Sequence, residues 1–175
     1  METPQQKPEQ ITEEIRTWFR DDPSRMTMMG ARKFGVPEET VIRALINQWP
    51  ITALRVEAFK EIMEAIRGMG LVRVFVRSRA AVVEVTGKFT EFSESGGFFN
   101  VQGEGIDMHI LWRDIGAIYA IQKQSHDVPD QVTYSIQFFC KTGDAAFKVF
   151  LWENFPTVPA ANVEKFCEAV KNYAS

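Results

Sequence analysis

The stretch from Gly105 to Ile121 reads GIDMHILWRDIGAIYAI and decides how the second half of the chain is interpreted. Apolar residues fill most positions on both sides of a polar break at Arg113 and Asp114. Short apolar runs bounded by glycine and charged residues are typical of β-strands. The stretch therefore predicts two strands, with His109, one of only two histidines in the chain, in the first of them.

Strand patterns continue on both sides of this stretch. LVRVFVR, from Leu71 to Arg77, alternates so that Arg73, Phe75 and Arg77 share one face and the valines share the other. Similar patterns predict strands over 80–89, 98–101, 132–140 and 145–150. The connections are short, including a turn at Ser78-Arg79, and short connections favour antiparallel pairing. We therefore expect an antiparallel sheet of about seven strands over residues 71–151.

Helical patterns occupy the two ends of the chain. Residues 11–68 predict four helices, with Gly35 ending the second and Pro37 starting the third. A closing helix is predicted over 162–174, and residues 1–10, which contain two prolines, are predicted to be a mobile tail. The fold class is therefore α+β: one domain over 11–175, with a helical N-terminal part, a large antiparallel sheet and a C-terminal helix.

Residues 31–45 resemble a helix-turn-helix, a motif that binds DNA in many proteins. The third helix, however, starts with Glu38 and Glu39, and acidic residues would meet DNA phosphates unfavourably. We interpret this part as packing structure and expect no nucleic-acid partner.

Composition narrows the class of protein. The 175 residues are 45% hydrophobic and include fourteen Phe, which is enough to build a sizeable core. The net charge of −3 gives no basic surplus, and the two cysteines, Cys140 and Cys167, fit no zinc or disulfide spacing. No apolar run approaches the roughly 20 residues that span a bilayer. We expect a cytoplasmic protein with reduced thiols and no membrane segment.

The common catalytic and nucleotide-binding motifs are absent, including GxSxG, the phosphate loop, HExxH and CxxC. Heme binding remains open, because it needs only an axial donor, apolar walls and cations for the propionates. His109 is the best donor, although it can equally be a structural histidine. The alternative donors are His126, Tyr119, Met108 and Cys140; candidate walls are Phe98, Phe99, Phe138 and Phe139; candidate cations are Lys88, Arg113, Lys123 and Lys148.

Nearly the whole chain, from Ile11 to about Tyr173, resembles the HutX/ChuX-type cytosolic heme-utilization carriers. The resemblance rests on blocks in the same order: MTMMGARKFGVPEETVIRAL, VVEVTGKF, GGFFNV, HILWRDIGAIYAI and SIQFFCKTGDAAFKVF. In the fourth block, His109 precedes Ile115 by the six residues that separate the family's histidine from the start of its next strand.

The resemblance implies a homodimer that binds non-covalent, b-type heme for transfer or storage, with a heme-donor or heme-degrading protein as a possible partner. It implies that His109 is the proximal iron ligand and that Arg113 and Lys148 lie near the propionates. We add Phe98 and Phe99, as candidate walls, and Tyr119, as an alternative donor, to the expected cofactor-binding residues. No turnover by this chain alone is expected.

The chain departs from the family in two places. The family commonly has Pro-Phe-Met-Gly-Arg after the Ile/Tyr strand, where this chain has QSHDVPD and no arginine. In the His-Leu-Arg segment, Leu111 stands where the family has arginine, and Arg113 follows two residues later. His126 lies in the altered loop and is the alternative iron ligand.

Two alternative functions remain open. The protein can be a helix-turn-helix regulator that senses a ligand, or a dimeric scaffold that has lost heme binding.

Overall fold

The computed structural model describes residues 8–78 and 80–175, so most of the predicted tail and Arg79 of the predicted turn lie outside the described residues. The described residues form five α-helices: α1 (Pro8–Asp21), α2 (Thr27–Phe34), α3 (Glu38–Leu45), α4 (Phe59–Arg67) and α5 (Ala160–Tyr173). Short 3-10 turns occur at Val56–Ala58 and Trp112–Asp114. Helix α1 begins inside the segment predicted to be a tail, because Pro8 suits a first helical turn, where no backbone N–H is needed.

The same part of the chain contains eight strands: β1 (Ile51–Leu54), β2 (Val72–Arg77), β3 (Val82–Ser95), β4 (Phe98–Glu104), β5 (Ile106–Ile110), β6 (Ile115–Gln124), β7 (Val132–Cys140) and β8 (Ala145–Leu151). They form one sheet in the order β1-β6-β7-β8-β2-β3-β4-β5, and every neighbouring pair is antiparallel. The predicted α+β fold, with helices at both ends of an antiparallel sheet, is confirmed. The two strands predicted in the Gly105–Ile121 stretch are present as β5 and β6.

The strand β1 was not predicted, because its four residues lie within the part of the chain predicted to be helical. Ile51 pairs with Ile121 and Leu54 with Ile118, so β1 forms by adding to the edge of β6. Four residues show too little alternation to be recognised without that partner. The strands β1 and β5 are the two edges of the sheet.

The two faces of the sheet are covered differently. On the α4/α5 face, buried residues of the strands pack against Phe59, Ile62 and Phe166 of the two helices. On the opposite face, which we call the α1–α3 face, the three N-terminal helices cover only the part of the sheet around Tyr119 and Phe139. Over the rest of the α1–α3 face the described residues place no helix body, and the cleft described below forms there, beside the starts of α2 and α3.

The N-terminal helices are fastened to the sheet through the start of α3. The backbone N–H of Glu39 donates to the carbonyl of Gly143, in the turn between β7 and β8. Gly35 ends α2 with a left-handed φ of 65°, as its position predicts. Because the first turn of α3 is packed against the sheet, the structure supports the interpretation of this helix as packing structure.

The buried face of the closing helix differs from the prediction at one residue. The apolar spacing in its sequence predicts a buried stripe through Val163, Phe166, Cys167, Val170 and Tyr173. The side chain of Cys167 is, however, exposed. The buried line of α5 runs through Phe166 and Ala169 instead, because these are the residues that meet the α4/α5 face.

Candidate functional site

A cleft opens on the α1–α3 face between the starts of α2 and α3 and the strands β2, β6, β7 and β8. It contains about 1140 Å³ of open space, counting the part that is open to solvent. Its floor is a row of side chains in neighbouring strands, in which Gln137 of β7 pairs with Lys148 of β8, and Lys148 pairs with Phe75 of β2. A concave site lined by apolar and aromatic side chains with a few polar groups is the usual form of a small-molecule or cofactor site.

Aromatic side chains form one end of the cleft. The rings of Phe75 and Phe150 meet edge to face with 4.8 Å between centroids. Trp152 and Phe155 stack with 4.0 Å between centroids. Met26 and Met28 line the cleft from the helical side. Large rings and methionines supply apolar area that can adapt to a flat ligand.

Four cations line the same cleft, namely Arg73, Arg77, Lys123 and Lys148, against three carboxylates, Glu38, Glu84 and Asp127. Arg73 lies 3.8 Å from the centroid of the Trp152 ring and donates through Nε to Thr86 Oγ1 at 2.9 Å. The formal net charge of these seven side chains is +1, which weakly favours anionic ligands.

Lys123 is the most perturbed of these cations. Burial lowers its pKa to about 8; the positive charge of Lys148 adds to this effect, and the negative charge of Asp22 opposes it. Its Nζ donates to the backbone carbonyl of Ser24 at 2.6 Å. The charge of Lys123 therefore changes within a pH range that is easily reached in solution.

An ion pair spans the floor of the cleft. Lys148 Nζ lies 2.5 Å from Glu38 Oε1, and their side chains are only 17% and 8% exposed. Thr27 also donates to Glu38 Oε1, at 2.5 Å. Burial alone would raise the pKa of Glu38, but the charge of Lys148 and the hydrogen bonds from Lys148 and Thr27 outweigh it, so the pKa is lowered.

His126 lies at the rim of this cleft, in the loop between β6 and β7. The backbone N–H groups of Asp127 and Val128 donate to the buried hydroxyl of Ser125, which gives the loop a defined turn. The imidazole is 47% exposed, and its Nε2 lies 3.2 Å from Asp127 Oδ1. A neutral imidazole in this position can act as a metal ligand.

His109 lies elsewhere, on the edge strand β5. Its Nδ1 lies 2.7 Å from Asn100 Oδ1, and its side chain is 64% exposed. The Asn100 amide also donates to Ser93 Oγ, which orients its oxygen toward the ring. In that arrangement Nδ1 carries the proton and Nε2 keeps its lone pair, which is the tautomer that binds a metal through Nε2. Phe98 is the nearest aromatic ring, with centroids 6.3 Å apart.

The structure does not bring His109 and Lys148 together. His109 pairs with Asn100, and Asn100 pairs with Ser93 on β3. Ser93 is nine residues along β3 from Glu84, which lines the cleft. At about 3.3 Å per residue this is roughly 30 Å along the strand. His109 and the cleft therefore share a face of the sheet but belong to different parts of it.

The remaining predicted site residues are also dispersed. Phe99 is buried on the α4/α5 face against Phe59, on the opposite face from Phe98 and His109. Tyr119 is buried beneath the N-terminal helices, and its hydroxyl donates to Glu39 at 2.6 Å. Arg113 is exposed in the 3-10 turn after β5, beside Trp112. Lys148, which the family resemblance assigns to the propionates, lines the cleft. Two further candidates from the sequence, the cation Lys123 and the alternative ligand His126, line it as well.

Sequence reasoning missed Arg73, Phe75, Arg77, Phe150 and Trp152 as site residues. A signal existed, because the alternation of LVRVFVR places two arginines and a phenylalanine on one strand face. Arginine is rarely fully buried, so that combination indicates a strand face that helices do not cover completely.

Comparison with known proteins agrees with this fold. The sequence profile described as "Haem utilisation ChuX/HutX" matches residues 52–168. The chain belongs to this family of heme-utilization proteins. The match begins at β1 and ends within α5, so it covers the whole sheet and the loop that holds His126.

Solved structures share the fold of this family member. The heme-binding protein ChuX superposes with a TM-score of 0.78 at 21% identity, over 90% of this chain and 97% of ChuX. AGR_C_4470 from Agrobacterium tumefaciens gives a TM-score of 0.81 at 24% identity, over 99% of this chain and 98% of that one. The heme-degrading enzyme ChuS from Escherichia coli O157:H7 gives 0.79 at 18% identity, over 97% of this chain but only 48% of ChuS.

No curated protein sequence matches the chain. Within residues 8–78 and 80–175, no helix is long and apolar enough to cross a membrane, and no group of three or more His, Cys, Asp and Glu side chains is placed to hold a metal ion. A single imidazole ligand with a porphyrin does not require such a group.

Proposed function

We propose that this protein binds non-covalent heme in the cleft of the α1–α3 face and carries or stores it during the use of heme iron. The observation that carries the proposal is the meeting of aromatic walls, four cations and an imidazole around one open space. The membership of the ChuX/HutX family and the heme-binding activity in the name of ChuX support the same ligand.

The chemistry of the cleft fits the two parts of heme. Phe75, Phe150 and Trp152 offer flat apolar surface for the porphyrin ring. Lys123 and Lys148 offer cations for the propionate groups. Bound heme would supply an iron that needs one axial ligand from the protein.

Among the described residues that line the cleft, His126 is the imidazole that can supply this ligand. Its half-exposed position on a loop suits a ligand that is transferred, because the iron can be released without opening the core. His109 remains the ligand predicted from the sequence. It has a suitable tautomer, but its side chain is 64% exposed, and Phe98 is its aromatic neighbour among the described residues.

We further propose that the protein works as a cytoplasmic homodimer that pairs through its sheet. The edge strand β5 leaves backbone groups open, and Phe98 and Leu111 beside it are 37% and 52% exposed. A second copy that adds to this edge would cover both. Light scattering at micromolar concentration would test this, and a monomer would contradict it.

A hemin titration followed by absorbance tests the function and the ligand together. We expect wild-type protein to develop a Soret band at one equivalent of hemin. His126→Ala should shift the band and weaken binding, whereas His109→Ala should leave both close to wild type.

The opposite result, loss in His109→Ala alone, would place the iron at the edge strand as the sequence predicts and would overturn the assignment to the cleft. A wild-type protein that gives no saturable Soret change would overturn heme binding itself. Two further variants distinguish the sites without changing either histidine. Phe150→Ala, in the cleft wall, should weaken hemin binding if the iron is held in the cleft, and Phe98→Ala, beside His109, should weaken it if the iron is held at the edge strand.

A further inference from the structure

Buried polar side chains are concentrated around the cleft. Apart from Tyr119, the described polar or charged residues with buried side chains are Thr27, Glu38, Ser125, Ser135 and Gln137, and all five line the cleft. Burial of a polar group costs free energy unless the group is hydrogen-bonded. A concentration of such groups in one concave place indicates a site that recognises a polar or charged group of a ligand.

A carboxylate already occupies this floor, and it belongs to the protein. Glu38 reaches from the start of α3 to the sheet, where its Oε1 accepts hydrogen bonds from Lys148 Nζ and Thr27 Oγ1, each at 2.5 Å. The contact shows directly that the floor can hold a carboxylate between a lysine and a hydroxyl group. It also neutralises Lys148, so that an incoming anion meets a paired lysine.

Gln137 provides a further group at the same place. Its Nε2 donates to Ser135 Oγ at 3.0 Å, while its buried Oε1 finds no hydrogen-bond partner among the described residues. Gln137 pairs directly with Lys148 across the neighbouring strands. Rotation of the amide by half a turn would let Ser135 donate to the oxygen and would present the NH₂ group as a free donor, with no change in shape.

We propose that the floor of the cleft is a carboxylate subsite, that Glu38 occupies it when no ligand is bound, and that a ligand carboxylate replaces Glu38 at Lys148, with Gln137 as a second donor. The inference rests on the proposed function in its choice of a porphyrin as the ligand. Glu38 then acts as an internal competitor, which sets the affinity for carboxylate-bearing ligands and leaves their uncharged esters unaffected.

The test compares protoporphyrin IX, which carries two carboxylates and no iron, with its dimethyl ester, by quenching of tryptophan fluorescence. Glu38→Gln keeps the shape and the hydrogen bond from Thr27 but leaves Lys148 without a charged partner. We expect the acid to bind at least about tenfold more tightly to this variant than to wild type, as one gained charge-assisted hydrogen bond predicts. The ester should bind both proteins equally.

Glu39→Gln is the matched control, because Glu39 is the next residue of α3 and does not line the cleft. This variant should bind both the acid and the ester with wild-type affinity. Lys148→Met should abolish the preference of the protein for acid over ester, and Gln137→Met should reduce it. Gln48→Met is the control for Gln137, since Gln48 also has a buried amide oxygen without a described partner but lies outside the cleft.

Equal effects of Glu38→Gln on acid and ester, or an undiminished acid preference in Lys148→Met, would overturn the subsite. If Glu38→Gln does not fold, the Lys148→Met and Gln137→Met comparisons decide alone. The proposed function fails separately, because it requires a Soret change with hemin, whereas these measurements use a porphyrin without iron.

Discussion

The side-chain amine of Lys123 donates to the backbone carbonyl of Ser24 at 2.6 Å and so connects the end of β6 to the segment before α2. The amine also lies 5.4 Å from the centroid of the Trp49 ring. These contacts hold a cation in the wall of the cleft with little water around it, which is why burial lowers its pKa to about 8.

Binding of an anionic porphyrin should therefore weaken as the pH rises from 7 to 9. Lys123 is charged below about pH 8 and neutral above it, so one attraction to the propionates is lost across this window. Affinities of protoporphyrin IX at the two pH values would check this. Lys123→Arg, which stays charged, should show a flatter dependence, and Lys88→Arg, on an exposed part of β3 outside the cleft, should behave as wild type.

The same shift has a consequence for stability. The unfolded chain holds the Lys123 proton up to its ordinary pKa of 10.5, and the folded chain releases it near 8. Because the unfolded state binds more protons between these values, this group makes the free energy of unfolding rise with pH from about 8 to 10.5. Urea denaturation of wild type and Lys123→Met at pH 7.5 and 9.5 should show this rise in wild type and a smaller one in the variant.

Phe138 should be essential to the core beneath the cleft. Its ring is fully buried and stacks on Phe147, with 4.2 Å between centroids, and it meets Phe59 of α4 edge to face. Phe138→Ala should lower the free energy of unfolding by about 3–5 kcal/mol, the usual cost of deleting a buried ring. Phe98→Ala, at a half-exposed position, should cost much less in urea denaturation; equal costs would contradict the assigned burial.

Tyr119 should resist titration. Burial raises the pKa of its phenol, and the hydrogen bond to Glu39 raises it further. Absorbance at alkaline pH should show one tyrosine that ionises only when the protein unfolds. Tyr119→Phe should remove this late transition, and a wild-type protein without it would contradict the contact.

Gly103 should not tolerate a side chain. A Cβ atom built there would lie 1.9 Å from the carbonyl oxygen of Lys88 on the neighbouring strand. Gly103→Ala should therefore force β3 and β4 apart and cost about 1–3 kcal/mol, as overpacking commonly does. Denaturation checks the cost, and Gln102→Ala, the exposed neighbour on β4, should be close to neutral.

Much of the fold could be predicted because its signals are local. The hairpin of β7 and β8 was predicted within one residue, since Lys141 to Asp144 form a turn between two apolar runs. The polar break at Arg113 and Asp114 separates β5 from β6 as expected. Alternation in LVRVFVR also assigned Arg73 and Phe75 to a common face, although not to a site.

The candidate site depended on tertiary structure. His109 was correctly placed in a strand, but nothing local shows that this strand is the edge of the sheet, far along β3 from the cleft. The cleft joins Thr27, Phe75, His126 and Lys148, which are distant in sequence and meet only because β8 lies between β7 and β2. The alternation of apolar and polar side chains can be seen in a few consecutive residues. The order of the strands depends instead on which distant segments bury their apolar faces together. Local patterns were therefore enough to predict most of the helices and strands and the resemblance to the family, whereas the packing of the sheet brings the charged and aromatic residues together in one cleft.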